Sequence, residues 1–288
     1  MQVVVIGAGG LLGQDIVKDG KRRGWTIVTP GREQLDVTDE SAMAGYFGHA
    51  RPAWIINCAA FVAVDDAECS RNEAFVINSE GALYAARASL MSGARLVHIS
   101  TDYVFDGRKK QPYTEDDEVN PLGVYAASKL QGERNVLATN PSAIVARSAW
   151  LYGVGRANFP SKILDTALKG KALRIVSDRV GSPTYTPDLA KGIGDIMEFG
   201  VPGGIYHVVN SGAASWYDLV KEMLRAAGVA VPLEPASTEE YPTPAERPAY
   251  SVLSTEKLRL AGVEILPPWQ DAVGRFVREL RSMGVLPA

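Results

Sequence analysis

Apolar, β-branched runs alternate along this chain with stretches in which apolar residues recur every three or four positions. Gln2-Val-Val-Val-Ile6 is the first such run and predicts a buried parallel strand. Further strands are predicted at residues 25–29, 53–59, 95–100, 143–149 and 205–209. Helical periodicity runs from Leu12 to Gly24 and falls near residues 40–49, 71–91, 124–139, 159–168, 188–199, 215–227 and 270–283. Strictly alternating strands and helices predict an α/β, Rossmann-type doubly wound parallel sheet, helices covering both faces. Prolines crowd between Val231 and Pro248, which reads as loop, and no clean linker divides the chain. The expected organisation is a Rossmann domain over 1–150, with returning segments near 186–228. A smaller, mainly C-terminal region would comprise 151–185 and 229–288.

The first predicted strand runs straight into Gly7-Ala-Gly9-Gly10-Leu11-Leu12-Gly13. A glycine turn between strand and helix lets backbone N–H groups approach a pyrophosphate, and Gly13 would let the helix pack close to the sheet. Gly7, Gly9, Gly10, Leu11, Leu12 and Gly13 are therefore candidate dinucleotide-binding residues. Near the end of the second strand, where a carboxylate would suit the ribose hydroxyls of NAD, stands Arg32, a fit for the 2′-phosphate of NADP. NADPH is thus the expected cofactor, with NADH as the other possibility. Asp36 could accept from an adenine amine or cap the helix that follows; Val37 is placed beside it. The third strand ends in the small residues Cys58, Ala59 and Ala60, which permit backbone approach to the same ligand, and Cys58 reads as a small hydrophobe rather than a nucleophile.

Composition narrows the class. The 288 residues carry a net charge of −3, which points to no nucleic-acid or membrane surface. Two cysteines are too few for a disulfide framework, and a strand beginning at residue 2 leaves no room for a signal peptide, so a cytoplasmic location is expected. The three histidines, His49, His98 and His207, show no metal spacing.

Tyr125 and Lys129 sit four apart in a predicted helix and so share one face. An ammonium beside a phenol favours the phenolate, which would let the tyrosine exchange protons below its free pKa of about 10. That pair suits proton transfer to a carbonyl that receives a hydride. Thr101 and Ser100 end the fourth strand, and only one of two neighbours can face the site.

Ser100-Thr101-Asp102-Tyr103-Val104-Phe105-Asp106-Gly107, followed by Pro121-x-x-x-Tyr125-x-x-Ser128-Lys129-x-x-x-Glu133, resembles the extended short-chain dehydrogenase/reductases. Within them, Ala63-Val64-Asp65-Asp66-Ala67-Glu68, Arg147-Ser-Ala-Trp150-Leu-Tyr-Gly153, Gly181-Ser-Pro-Thr184 and Tyr241-Pro-Thr-Pro-Ala-Glu-Arg247-Pro248 resemble the dTDP-4-dehydrorhamnose reductase family, over residues 1 to about 260. The resemblance implies NADPH-dependent reduction of a nucleotide-sugar ketone, the last step in making dTDP-L-rhamnose for polysaccharide. It implies Thr101, Tyr125 and Lys129 as the catalytic set, choosing Thr101 over Ser100. It implies Val64, Thr101, Asp102, Tyr103, Trp150 and Arg247 as substrate-binding residues, Arg247 as a pyrophosphate clamp, with Phe159, Ser182 and Thr184 near the nucleotide. Some members dimerise through magnesium held by glutamates. This chain has Asp15 and Pro187 at the matching places, so that arrangement is doubtful here and a monomer or homodimer is compatible. An epimerase or dehydratase of the same superfamily, or an NADP-binding regulatory subunit without catalysis, are the alternatives; intact Thr101, Tyr125 and Lys129 argue against the last.

Overall fold

A computed structural model describes residues 1–286. Five strands, β1 (Gln2–Ile6), β2 (Thr26–Val28), β3 (Trp54–Asn57), β4 (Arg95–Thr101) and β5 (Ile144–Ser148), join the strand Gly204–His207 in one six-stranded sheet. The order is Gly204–His207, β5, β4, β3, β1, β2, and every pairing is parallel. Alternate residues of each strand enter different cores, which is why the strands read as continuous apolar runs rather than alternating ones. Val3, Val5, Ile56 and Val97 face Ile16, Leu189 and Ile193 on one side. Val4, Ile6, Ile55 and Leu96 face Phe47, Ala82, Ala86 and Val136 on the other. The chain runs outward from β1 to β2, then crosses to β3 on β1's other flank. The strand order therefore reverses between β1 and β3, where an open parallel sheet leaves a crevice at its carboxyl edge.

The expected α/β sheet is present, with element ends moved by one or two residues. Helices Val124–Thr139 and Phe159–Leu168 begin and end as the periodicity predicts. The expected single helix at 71–91 instead comprises Arg71–Phe75, a π-helical turn at Val76–Glu80 and Gly81–Ser92. The widened turn carries Asn78, whose side chain bonds both the N–H and the C=O of Phe61 and also the Ser128 hydroxyl. It thereby ties the loop after β3 to the helix bearing Tyr125. Close contact at this crossing needs Gly132, since a Cβ there would lie 2.2 Å from the Asn78 carbonyl oxygen.

A second core is built from Tyr152, Leu164, Leu219, Met223, Trp269 and Phe276, under the helices Phe159–Leu168, Trp216–Ala227 and Trp269–Ser282. Short two-stranded pairs frame it: Leu151–Tyr152 with Thr184–Tyr185, Leu173–Val176 with Leu233–Ala236, and Val180–Gly181 with Ala214–Ser215. No helix among the described residues is long and apolar enough to cross a membrane.

Candidate active site

Three adjoining cavities lie along the carboxyl edge of the sheet. The first is a cleft of about 710 Å³ bounded by Gly10, Leu11, Leu12, Gly13, Cys58, Ala60, Tyr125 and Lys129. An inner cavity of about 280 Å³ shares Tyr125 with it and adds Val64, Thr101, Asp102, Tyr103 and Trp150. An outer cavity of about 520 Å³ shares Val64 and Tyr103 with the inner one and adds Arg174, Arg179, Tyr241 and Arg247. Trp216 borders both the inner and the outer cavity. Tyr125 thus stands where the first two cavities meet.

The cleft has the form of a dinucleotide site. Gly7 turns the chain with φ +75°, and a Cβ on it would come within 2.8 Å of the Ala59 nitrogen. Gly13 packs so tightly that a Cβ would lie 2.4 Å from the Gly7 oxygen. Gly9 faces open space. The helix Leu11–Arg22 starts at Gly10 without a side-chain cap, which leaves its first N–H groups and the positive end of its dipole for an anion. These features fit the pyrophosphate of a nicotinamide dinucleotide.

Further along the β1–β2 edge, Arg32 is largely exposed. Its Nε donates to Asp36 Oδ2 at 3.0 Å, and both Nη groups have no partner among the described residues. Asp36 Oδ1 accepts from the Thr38 amide and hydroxyl, which, with Arg32, holds its carboxyl below the usual range. The helix cap considered for Asp36 belongs instead to Asp39, whose side chain accepts from Ala42 N. Val37 is a core residue packed over Gly81. Burial pushes the Cys58 thiol up to about 12, so it is no thiolate nucleophile.

The helix Val124–Thr139 presents Tyr125 and Lys129 to the carboxyl end of β4. Lys129 is buried, and its Nζ donates to the Ile99 carbonyl at 2.6 Å. Burial pulls its pKa down to about 8, against the pull of Glu133. Packing around the Tyr125 phenol pushes its pKa up, although the Thr101 hydroxyl beside it favours the phenolate. The expected lowering by Lys129 is therefore not the dominant influence: the ammonium is directed at a backbone carbonyl, and desolvation of the phenol wins. Ser100 and Thr101 diverge as adjacent strand residues should. Ser100 Oγ donates to Glu133 Oε1 at 2.5 Å. Glu133 is also the bidentate partner of Arg147 at 2.7 to 3.2 Å, both side chains buried. Thr101 turns to Tyr125 and Asp102.

On the far side, Tyr103 meets Tyr125 edge-on, with ring centroids 6.1 Å apart. Trp150 has φ +48°, a backbone state that a bulky residue rarely adopts. Its indole stacks on Trp216 at 3.6 Å and 3°. Arg247 lines the outer cavity, but its two Nη groups are engaged by Asp65 at 2.9 and 2.8 Å. Phe159 borders both the cleft and the outer cavity. Ser182 and Thr184, expected near the nucleotide, border none of the three; both are fully buried, and Ser182 Oγ accepts from Leu253 N.

Sequence reasoning missed Arg156, Arg174, Arg179 and Trp216. They come from loops, a short strand and a helix start with no motif around them. Asp15 accepts from the Thr186 hydroxyl at 2.6 Å, and Asp188 pairs with Arg275. No group of three or more metal-ligating side chains is arranged to hold an ion among the described residues.

Comparison with known proteins agrees with this geometry. A family model described as the RmlD substrate binding domain matches residues 1–282. The spore coat polysaccharide biosynthesis protein SpsK of Bacillus subtilis is 40% identical over 98% of both chains. A crystal structure of a dTDP-4-dehydrorhamnose reductase from Clostridium acetobutylicum superposes with a TM-score of 0.94 at 39% identity, covering 98% of this chain and 100% of that one. The dTDP-4-dehydrorhamnose reductase of Bacillus anthracis, solved in complex with NADP, gives 0.93 at 36% identity over 96% and 99%. Glycine turn, Thr101–Tyr125–Lys129 constellation and whole-chain likeness converge: the chain belongs to the RmlD family, that of the dTDP-4-dehydrorhamnose reductases.

Proposed function

We propose that this chain reduces the C4 ketone of dTDP-4-dehydro-L-rhamnose to dTDP-L-rhamnose with NADPH. The observation that carries the reading is the place of Tyr125, between the cleft that Lys129 also lines and the inner cavity that Thr101 also lines. The names of the relatives and the NADP complex of the Bacillus anthracis protein support it.

When bound, the nicotinamide supplies the hydride. The glycine turn and the uncapped helix after it hold the pyrophosphate. Arg32, with two nitrogens to spare, takes the 2′-phosphate, and Asp36 flanks the adenine, with the buried Val37 offering only its backbone there. Cys58, Ala59 and Ala60 let the backbone come close. Lys129 holds the nicotinamide ribose. Tyr125 gives its proton to the C4 oxygen as general acid; the same packing that raises its pKa keeps it protonated, the form a reduction needs. Thr101 donates a hydrogen bond to that oxygen as charge develops on it. Val64, Asp102, Tyr103 and Trp150 shape the sugar site, and Arg247, on the wall of the outer cavity, lies toward the diphosphate. That Asp15 is held by the Thr186 hydroxyl and Asp188 by Arg275 supports a reading without a magnesium-linked dimer.

The test is loss of reduced-nicotinamide absorbance when the purified protein meets NADPH and enzymatically generated dTDP-4-dehydro-L-rhamnose, with dTDP-L-rhamnose identified as product. Tyr125→Phe keeps the cofactor site and removes the proton donor, so turnover is expected to fall about 10²–10⁴-fold with little change in NADPH affinity. A Tyr125→Phe protein of normal activity would overturn the mechanism.

A further inference from the structure

Thr101 has more demands on it than its one proton can meet. Its Oγ1 donates to Asp102 Oδ1 at 3.2 Å and accepts from the Tyr103 amide at 3.2 Å, with the Tyr125 phenol as a third neighbour. A hydroxyl offers one donor and two acceptors, and an ionised carboxylate can only accept. While Asp102 is charged, the Thr101 proton is committed to it and none remains for a ketone oxygen. With a proton on Oδ1, the 3.2 Å bond reverses. The acid then donates, and the Thr101 hydrogen is free to point into the inner cavity.

We infer that Asp102 works as a neutral acid whose proton aims the Thr101 hydroxyl at the ketone oxygen of the substrate. Asp102 is then a positioning residue acting through Thr101, and Tyr125 remains the proton donor. The inference rests on the proposed reading of the site and adds a requirement to it. Asp102 is only 2% exposed and pairs with no cation among the described residues. Its Oδ2 carries no hydrogen bond, although the Ser251 hydroxyl lies near enough to favour the charge. A buried, half-satisfied carboxylate is costly to keep ionised.

The Ser251 and Thr101 hydroxyls and the backbone amides of Asp102 and Tyr103 favour that charge without outweighing burial. Tyr103, on its own turn, and Tyr125, from the helix Val124–Thr139, are phenols whose surroundings raise their pKa, so both are neutral near pH 7. Ser251 comes from the segment paired with Val180. The cations Arg179 and Arg247 act on Tyr103, and Lys129 is turned to Ile99. Burial accordingly raises the Asp102 carboxyl to about 7.

The experiment is the pH profile of kcat/KM for the sugar nucleotide at saturating NADPH, in wild type and in Asp102→Asn. The wild-type value is expected to fall as pH rises through about 7, toward a floor about 10²-fold lower, the worth of one oxyanion donor. Asn cannot ionise, and its amide can donate to Thr101 at every pH, so the fall near 7 should vanish while a separate limb from Lys129 near 8 stays. Thr101→Val should abolish the same limb, because without the hydroxyl Asp102 has nothing to aim. An Asp102→Asn or Thr101→Val enzyme that keeps the limb near 7 overturns the inference. Aspartate 13Cγ NMR of the wild-type protein decides it without any variant. One aspartate should titrate near 7, and none titrating above pH ~5 overturns the inference. That measurement stands apart from the reading it rests on, which fails if the wild type does not reduce the sugar nucleotide or if Tyr125→Phe still does.

Discussion

Arg32 gives one nitrogen to Asp36 and keeps two for a ligand. A guanidinium so arranged matches a phosphate in two parallel hydrogen bonds. Arg32→Ala is therefore expected to raise the KM for NADPH several-fold more than that for NADH; equal effects on both would make it a bystander. Arg247 presents the opposite case. Its fork is already closed on Asp65. Arg247→Ala strips a partner from that carboxylate and should raise the KM for the sugar nucleotide while sparing NADPH. Unchanged substrate affinity would reduce Arg247 to a brace for Asp65. Tyr125, Lys129 and Arg247, which the structure sets on the walls of the cleft and the outer cavity, could be picked out from the sequence because each stands in a recognisable motif. Arg179 and Trp216 could not. Their stretches carry no such pattern, and only the fold of the second region brings them beside Tyr103.

At the scale of elements, the wall of the sugar site is set by a glycine. A Cβ at Gly181 would come 2.5 Å from a ring atom of the Trp150 indole, which Trp216 holds from the other face at 3.6 Å. The indole has no room to retreat between a strand and a stacked partner, and its backbone already sits at φ +48°. Gly181→Ala should therefore displace Trp150, raise the KM for the sugar nucleotide by about tenfold or more and leave cofactor affinity unchanged. An unaltered KM would mean that Trp150 does not form that wall. The pair Val180–Gly181 is two residues long, too short to show a period, which is why no strand was expected there. The π turn at Val76–Glu80 was hidden for a different reason. It widens the hydrogen-bond spacing of a helix without changing the apolar pattern that announces one. The strands of the main sheet and the helix bearing Tyr125 and Lys129 were readable because each is long enough for its periodicity, or its unbroken apolar run, to repeat.

For the molecule as a whole, the two cores are threaded by a chain that passes back and forth between them. Leu189 and Ile193 return to the first core after Tyr185 in the second; Leu219 belongs to the second, Leu258 and Leu266 to the first, and Trp269 to the second again. A chain of 288 residues would ordinarily be expected to unfold in stages. Here neither core can dissolve without pulling on segments of the other, so one cooperative transition is expected. The Glu133–Arg147 pair tests this from below the active site, where it joins the Tyr125 helix to β5 and holds Ser100 of β4. Glu133→Ala leaves a buried guanidinium without its partner, a loss of about 3–5 kcal/mol. Of the five tryptophans, Trp150, Trp216 and Trp269 lie in or beside the second core and Trp25 and Trp54 in the first, so fluorescence weights the second region, whereas far-ultraviolet circular dichroism reports on the sheet and helices together. Both signals should shift to lower temperature by the same amount in Glu133→Ala. Saturating NADPH should raise both together in the wild type, since a ligand at 100 times its Kd adds about 2.7 kcal/mol to the bound fold. A fluorescence transition that splits in Glu133→Ala, with its larger part unmoved while the circular-dichroism midpoint falls, would show that the second core unfolds on its own and that the threading does not bind the two into one unit.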